Sequence, residues 1–294
     1  MKKILLTGGS GFIGRNISES YLATKYQIHA PKRSELDLND DESVHNFFEK
    51  NHYDIVIHSA CKPGHRNASD ISGTFYTNSR MFFNLEKYAN SYLKLINIGS
   101  GAIYDMRHYK PKMSEDYFGK NIPLDEHGFC KYVTGKYIEK SDKIIDLRVF
   151  GIFGKYEDYA IRFISNVICK AVFDLPITIK QNRKFDYLDI DDLMPILEFF
   201  IEEKTQYNSY NITPDASIEL LKIAQMVNVI SQKNLPITIA TEGLGLEYSG
   251  DNSRLKKEIK NFEFKKIEDS ITSLYTWYLG NKNSINKQLL LTDK

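Results

Sequence analysis

Short apolar runs alternate with longer amphipathic stretches along the first half of the chain. The apolar runs cover residues 2–8, 26–30, 54–60, 93–100 and 143–150, and helical periodicity covers residues 12–24, 41–51, 75–91 and 126–141. Strict alternation of short strands with helices is typical of parallel βαβ units. The pattern therefore predicts an α/β fold built on a doubly wound parallel sheet.

The second half is less regular. Helical periodicity recurs at 159–172, 191–204, 215–232 and 266–279, with strand-like segments at 175–180, 210–213 and 236–240. We expect residues 1–155 to form the sheet domain and residues 156–294 to form mainly a smaller mixed α/β C-terminal lobe, with residues 185–205 returning to the sheet. Residues 280–294 follow no pattern and are predicted to be loosely held.

Composition narrows the possible functions. The 294 residues carry 39 basic and 38 acidic side chains, for a net charge of +1, so the chain has no basic field that would favour nucleic acid. Three separate cysteines form no C-x-x-C, which argues against disulfides and a zinc site, and no segment has metal-ligand spacing. No apolar run is long enough to cross a membrane. These features predict a soluble, cytoplasmic protein without a metal.

The N-terminal sequence TGGSGFIG, residues 7–14, directly follows the first strand and opens a helix. Glycines with this spacing allow a tight turn and close approach of the backbone to a pyrophosphate, which the helix N-terminus then faces. The loop therefore predicts a dinucleotide-binding, Rossmann-type domain. The predicted cofactor-binding residues here are Gly8, Ser10, Gly11, Phe12, Ile13 and Gly14.

The end of the second strand indicates which dinucleotide binds. An acidic residue there would bond the ribose 2′-hydroxyl of NAD, but the chain has Ala30-Pro31-Lys32-Arg33. Because Lys32 and Arg33 can neutralise a 2′-phosphate, we predict NADP(H) as the cofactor. Asp37 and Leu38 come later and are predicted to lie beside the adenine.

Several segments together resemble the extended short-chain dehydrogenase/reductase family, which includes the NAD-dependent epimerases and dehydratases. They are TGGSGFIG, DIVIHSA (54–60), INIGSGAIY (96–104), LRVFGIFG (147–154), RKFDYLDIDDL (183–193) and YSGDNSRLKKEI (248–259). The resemblance covers nearly the whole chain. Within the family it is strongest to the nucleotide-sugar 4-keto reductases, the group that includes GDP-L-fucose synthase.

The resemblance implies a nucleotide-diphosphate sugar as substrate, held mainly by the C-terminal lobe, and a homodimer. It also implies further binding residues. For the cofactor these are Ser59, Ala60, Cys61, Asn78, Lys131 and Phe150. For the substrate they are Arg183, Ser100 and His65.

The family's catalytic set is a serine, a tyrosine and a lysine. The serine is Ser100, four residues before the tyrosine of GSGAIY. For the other two, HGFCK (127–131) fits the family's Y-G-x-S-K pattern, with histidine in place of tyrosine, whereas YVTGK (132–136) has only the literal tyrosine and lysine. Positions 127 and 132 differ by about 140° around a helix, so one pair alone lines the site. We predict Ser100, His127 and Lys131.

Histidine at position 127 leaves the proton donor open. His127 acts as general acid, or it positions substrate while Ser100, water or another residue supplies the proton, or the protein binds NADP(H) without catalysis. The leading hypothesis is NADPH-dependent reduction of the C4 ketone of a GDP-4-keto-6-deoxyhexose or GDP-4-keto-heptose for surface-polysaccharide sugar biosynthesis. The alternatives are a nucleotide-sugar epimerase that retains its cofactor and a non-catalytic homologue.

Overall fold

The computed structural model describes residues 1–64 and 72–291. The first half alternates strands and helices as the apolar pattern predicts. Its elements are β1 (Lys3–Thr7), α1 (Phe12–Glu19), α2 (Leu22–Lys25), β2 (Gln27–His29), α3 (Asp41–Lys50), β3 (Ile55–His58), α4 (Thr74–Glu86), β4 (Lys94–Ser100), α5 (Glu126–Ile138) and β5 (Ile144–Val149).

The second half has short strands and longer helices. Its elements are β6 (Gly151–Phe153), α6 (Phe163–Val172), β7 (Ile177–Asn182), β8 (Lys184–Phe185), β9 (Tyr187–Asp189), α7 (Leu193–Glu202), β10 (Ser209–Ile212), β11 (Ile218–Glu219), α8 (Leu220–Ser231), β12 (Ile237–Leu244), α9 (Ser253–Glu258) and α10 (Ile267–Gly280).

Six parallel strands form the central sheet, in the order β10-β5-β4-β3-β1-β2. This confirms the predicted α/β fold with a doubly wound parallel sheet. One strand differs from the prediction. The sequence pattern placed residues 210–213 in the C-terminal lobe, but β10 pairs with β5 as the sixth strand of the sheet. All four residues of β10 are buried, as expected of a strand covered on both faces.

Two large apolar clusters lie in different parts of the molecule. One combines the sheet strands with α7, whose Leu193, Leu197 and Phe200 pack in the same cluster as the strands. The other joins α6, α8 and α10 with β7. The tail was predicted to be loosely held, and this is wrong for its described part. Ile285 and Leu290 are buried in the second cluster, because the short turns after α10 return two apolar side chains to it.

The parallel register brings the carboxyl ends of several strands to one edge of the sheet. Thr7 pairs with His58, His58 pairs with Asn97, and Ser100 pairs with Val149. Ligands of doubly wound sheets bind outside this edge. Within residues 1–64 and 72–291, no helix combines the length and the hydropathy that crossing a bilayer requires.

Candidate active site

The loop between β1 and α1 has the shape of an anion-binding turn. Gly8 has a φ of +73°, and a Cβ at this residue would lie 2.6 Å from the backbone nitrogen of Ala60. A Cβ at Gly14 would lie 2.2 Å from the carbonyl oxygen of Gly8, so α1 packs directly on the turn. The cap of α1, Gly11, contributes no side chain, and the first turn of the helix carries no acid. Because the first N–H groups of a helix have no partners within it, this loop suits a pyrophosphate.

The other predicted loop residues follow the same turn. Ser10 is exposed at the tip of the loop, while Phe12 and Ile13 begin α1 and pack partly buried against the sheet core. A Cβ at Gly9 would lie 2.7 Å from the Cβ of Ala30, which places the end of β2 beside the loop. The position where an acid would contact a ribose therefore carries a methyl group.

The two predicted cations lie just after β2. Lys32 and Arg33 are exposed, and the Arg33 Nε donates to Asp37 Oδ2 at 3.0 Å. Burial of Asp37 acts to raise its pKa, but the backbone N–H of Asn39 and the Arg33 guanidinium outweigh it and leave that pKa lowered. Leu38 is buried in the core below. Asp37 thus remains ionised and orients Arg33 at the rim of the site.

A side-chain clamp supports the backbone that follows β3. Ser59 Oγ donates to the carbonyl of Thr7 at 2.7 Å, and Cys61 is exposed as a free thiol. Asn78 of α4 accepts from the backbone nitrogen of Lys62 at 2.7 Å and donates to its carbonyl oxygen at 3.0 Å. The two-way bond fixes the chain beside the carboxyl end of the sheet.

Ser100 ends β4 and caps the short turn that follows it. Its Oγ accepts from the backbone nitrogen of Ala102 at 3.1 Å, and the side chain is partly buried. Phe150, the residue after β5, lies against this turn, since a Cβ at Gly101 would be 2.9 Å from its ring. The turn Ser100–Ala102, called here the serine turn, is therefore packed from the neighbouring strand.

The first turn of α5 meets the serine turn. Asp125 caps the helix by accepting from the backbone nitrogen of Gly128 at 2.8 Å, and His127 follows one residue after the helix begins. A Cβ at Gly128 would lie 2.8 Å from the carbonyl oxygen of Ala102. One turn further on, Lys131 Nζ donates to the carbonyl of Ile98 in β4 at 3.2 Å. Helix α5 thus places residues 127–131 against the end of β4.

The overlapping segment YVTGK (132–136), which has the literal tyrosine and lysine, has different surroundings. The Tyr132 ring packs 5.3 Å from that of Phe118. Lys136 lies over the same Phe118 ring at 4.5 Å and pairs with Glu139 at 2.9 Å, at an exposed position. Tyr132 and Lys136 therefore pack on the segment before α5.

Lys131 also borders a small cavity of about 10 Å³, which also contacts His58, Asn78 and Asn97. This volume corresponds to a single water molecule. The Nδ1 of His58 lies 2.8 Å from Thr7 Oγ1. Burial, and then the positive charge of Lys131, lower the pKa of His58 to about 3, so this imidazole is neutral at neutral pH. Lys131 therefore faces polar but uncharged groups.

Of the predicted substrate residues other than Ser100, Arg183 lies in the C-terminal half of the chain and His65 lies outside the described residues. Arg183 joins β7 to β8, and a Cβ at Gly245 would lie 3.1 Å from its Nε. Burial raises the pKa of Tyr187, and both Arg162 and Arg183 are close enough to oppose that rise. His65 falls within residues 65–71, outside the described part of the chain.

Two hydroxyl groups near Ser100 escaped the sequence analysis. Tyr109 Oη donates to the carbonyl of Gly101 at 3.1 Å. A Cβ at Gly101 would lie 2.5 Å from Tyr248 Oη, and, although burial raises the pKa of Tyr248, the Ser100 hydroxyl acts to lower it. No motif marks Tyr109. Tyr248 begins the family-like segment 248–259, but nothing in that segment places it beside Ser100, which lies 148 positions earlier in the chain.

Comparison with known proteins finds similarity to two curated GDP-sugar synthases. Over 149 residues the chain is 32% identical to GDP-L-fucose synthase from Azorhizobium caulinodans, which covers 49% of this chain and 48% of the relative. Over 186 residues it is 27% identical to GDP-L-colitose synthase from Yersinia pseudotuberculosis, covering 58% and 60%. The matches thus span about half of the length of these curated relatives.

A solved structure and a family model complete the comparison. The GDP-mannoheptose C4 reductase from Campylobacter jejuni, with NADP bound, has a TM-score of 0.81 and 18% identity, covering 94% of this chain and 98% of the other. At that identity the likeness shows the fold. The model of the NAD dependent epimerase/dehydratase family matches residues 4–213, well over half of the chain. The chain therefore belongs to the NAD-dependent epimerase/dehydratase family.

Proposed function

We propose that this protein is an NADPH-dependent reductase of the C4 ketone of a nucleotide-activated sugar. The substrate we favour is a GDP-4-keto-6-deoxyhexose or a GDP-4-keto-heptose, on a route to surface-polysaccharide sugars. One observation carries the proposal. Ser100, Lys131 and the start of α5 with His127 converge at the carboxyl edge of the sheet that also bears the phosphate loop. Hydroxyl, ammonium and imidazole groups at that edge suit carbonyl reduction.

The residues present fit an NADP(H) cofactor. The phosphate loop would hold the pyrophosphate, and the close approaches at Gly8 and Gly14 leave space there that any side chain would fill. Lys32 and Arg33 are exposed beside the methyl group of Ala30, where they would neutralise a 2′-phosphate. When bound, the reduced cofactor supplies the hydride that reduction requires.

We assign separate roles to the three catalytic candidates. The Ser100 hydroxyl would hydrogen-bond the ketone oxygen from the end of β4. Lys131 would place its charge between the cofactor ribose and the reacting oxygen, because its Nζ is already anchored on Ile98. His127 would bind the sugar at the start of α5 and contribute to proton delivery.

The C-terminal half would hold the nucleotide diphosphate. Burial raises the pKa of Tyr187 and both Arg162 and Arg183 act to lower it, which supports a role for this half in phosphate binding. Guanidinium groups match the geometry of phosphate oxygens better than ammonium groups do. Dehydration of the sugar is disfavoured, because Gly101 and Ala102 supply no acid or base next to Ser100.

The proposed reaction is tested by mixing the protein with NADPH and separate GDP-, dTDP- and UDP-4-keto sugars and following NADPH absorbance. We expect consumption with a GDP-linked substrate and an alcohol at C4 of the product. A broad panel without NADPH consumption would refute the reductase. Interconversion of C4 epimers with no net consumption of NADPH would support the epimerase instead. Binding of NADPH without any turnover would support the non-catalytic homologue.

We further propose a cytoplasmic homodimer that associates through α4 and α5. Phe75 of α4 stacks on Phe129 of α5 at 5.1 Å, and Tyr76 of α4 and Tyr137 of α5 are further exposed aromatic rings on the same two helices. Tyr76 is 65% exposed in the single chain, a high value for a large ring. Light scattering during size-exclusion chromatography measures the mass directly. A monomeric wild type, or a dimer that Tyr76→Glu leaves intact, would contradict this arrangement.

A further inference from the structure

A cluster of three hydroxyl groups surrounds the serine turn. Ser100 contributes one, and Tyr109 and Tyr248 contribute phenols. The Tyr109 and Tyr248 rings lie 5.1 Å apart, and burial and then Tyr248 raise the pKa of Tyr109. The Tyr109 phenol is committed to the carbonyl of Gly101. The Tyr248 phenol also lies next to the proposed catalytic serine. In contrast to Tyr109, its oxygen makes no hydrogen bond to a backbone atom of the described residues.

The position of Tyr248 is determined by its backbone and its ring. Its nitrogen donates to the carbonyl of Lys184 at 3.0 Å, and its carbonyl accepts from Asp186 at 3.0 Å. The ring packs between Phe150 and Phe185, with centroids 5.0 Å and 5.5 Å away. A phenol held in this way needs little reorganisation before it acts on a bound ligand.

Tyr248 also connects the two parts of the molecule that a sugar nucleotide would contact. Its backbone belongs to the segment after β12, in the C-terminal half that carries Arg183. Its oxygen reaches the serine turn at the end of β4, which α5 approaches with His127. A sugar placed on Ser100, with its diphosphate toward Arg183, would therefore pass beside this phenol.

We infer that Tyr248 is the proton donor to the ketone oxygen, in the place that a tyrosine at position 127 would otherwise fill. The inference rests on the proposed reductase. As a hydride from the reduced nicotinamide dinucleotide reaches the carbonyl carbon, the O–H bond of Tyr248 breaks and a new O–H bond forms on the sugar oxygen. The remaining phenolate is stabilised by the Ser100 hydroxyl and regains a proton from solvent.

The acid strength of Tyr248 suits this role. Burial raises its pKa, and the Ser100 hydroxyl offsets part of the rise. The phenol therefore keeps its proton throughout the neutral range. An alkoxide is a stronger base than a phenolate, so the transfer remains favourable. The other titratable or charged groups that influence the phenol are Asp186, Arg162, Tyr104 and Tyr109.

The kinetic experiment compares Tyr248→Phe, His127→Asn and Tyr132→Phe on the 4-keto sugar that the wild type reduces. Phenylalanine retains the ring that packs on Phe150 and removes only the oxygen. Tyr248→Phe should lower kcat about 100- to 10,000-fold, the usual loss for a missing general acid, with KM changed less than about fivefold. Tyr132→Phe, on the far side of α5, is the matched control and should match the wild type.

The two donors differ in their dependence on pH. If Tyr248 donates, kcat of the wild type and of His127→Asn stays level between about pH 6 and pH 8, because a phenol remains protonated there. If His127 donates, kcat falls as pH rises above the imidazole pKa, ordinarily near 6.5, and His127→Asn removes that fall. A residual kcat of Tyr248→Phe within about threefold of the wild type overturns the inference.

A binding measurement tests the same contact without turnover. GDP-mannose carries a stable hydroxyl at C4, and GDP has no sugar. In calorimetry, Tyr248→Phe should bind GDP-mannose about fivefold more weakly than the wild type, the effect of one neutral hydrogen bond, and GDP equally well. Equal affinity of both proteins for GDP-mannose would count against the contact.

Controls separate the inference from the proposed function and from misfolding. Thermal unfolding and NADPH binding of Tyr248→Phe should match those of the wild type. If they do not, a fluorotyrosine at position 248 keeps the side chain and changes only its acid strength, and an unchanged kcat in that protein also overturns the inference. A wild type that reduces no 4-keto sugar refutes the reductase itself, whereas an active wild type with a fully active Tyr248→Phe refutes the donor alone.

Discussion

Lys131 and Lys136 lie on the same helix, each four residues after a candidate partner, yet the structure predicts opposite consequences of removing them. Lys131 is partly buried, and its Nζ is bonded to the carbonyl of Ile98 at the end of β4. Lys136 forms an exposed pair with Glu139, in which both side chains are more than 40% exposed. Lys131→Met and Lys136→Met remove the same charge and keep similar side-chain length, so each is a control for the other.

The expected magnitudes follow from these surroundings. An exposed pair three residues apart contributes about 0.3–0.5 kcal/mol, so Lys136→Met should lower Tm by about 1 °C and leave kcat unchanged. Lys131→Met removes the charge beside the reacting oxygen and should lower kcat/KM about 100-fold or more. Its aliphatic chain still fills the space beside Cys130 and Thr134, which limits the loss of stability.

The assay is NADPH consumption with the accepted sugar, together with calorimetric NADPH binding and thermal unfolding of each protein. We expect Lys131→Met to fold, to bind NADPH more weakly and to turn over poorly. An active Lys131→Met together with an inactive Lys136→Met would show that residues 132–136 carry the chemistry. Loss of activity in Tyr132→Phe, with His127→Asn fully active, would likewise assign the chemistry to residues 132–136.

Three further predictions concern the cofactor loop and the core. In fluorescence titrations, Ala30→Asp should weaken NADPH binding at least tenfold and leave NADH binding unchanged, because a carboxylate would then face the 2′-phosphate. Equal effects on the binding of both cofactors would contradict the 2′-phosphate site. Gly14→Ala should abolish the rise in Tm that NADPH binding gives, because the added Cβ would lie 2.2 Å from the carbonyl oxygen of Gly8 and distort the phosphate loop. If NADPH still raised the Tm of this variant, the assignment of the loop to the pyrophosphate would be refuted. Asp186 has a pKa raised to about 6 by burial, so the native state binds its proton more tightly than the unfolded state. The proton on Asp186 therefore stabilises the native state fully below about pH 4, and this contribution is lost as pH rises to about 6. The free energy of unfolding of the wild type, measured in urea, should accordingly fall by up to about 3 kcal/mol relative to that of Asp186→Asn over this interval. A difference between the two proteins that does not change with pH would refute this prediction.

Local backbone rules explain what the sequence analysis predicted well. The phosphate loop is recognisable because Gly8 needs a positive φ and Gly14 a close helix contact, requirements that few other residues meet. Strands β1, β3, β4 and β5 are recognisable because they are buried and therefore mostly apolar, whereas the edge strand β2 is partly exposed. In both cases the physical constraint acts within a few residues, so it leaves a local signature.

Contacts between distant segments left no such signature. The four residues of β10, SYNI, do not by themselves distinguish a sheet strand from a strand of the smaller lobe, and only the pairing with β5 places β10 in the sheet. Ile285 and Leu290 lie in a polar tail, and their burial depends on the surface that α6 and α10 present. Tyr248 is one of 19 tyrosines, and only the folded chain shows that its oxygen reaches Gly101.

Histidine at position 127 changes what the remaining site must provide. An ordinary imidazole is mostly neutral above about pH 6.5. A neutral imidazole can orient a sugar hydroxyl, but it is a poor general acid. A phenol beside Ser100 keeps its proton under the same conditions. Placing that phenol on the C-terminal half also makes proton delivery depend on how this half packs against the sheet, so substitutions at Phe150 or Phe185 that move the Tyr248 ring should lower kcat more than they raise KM.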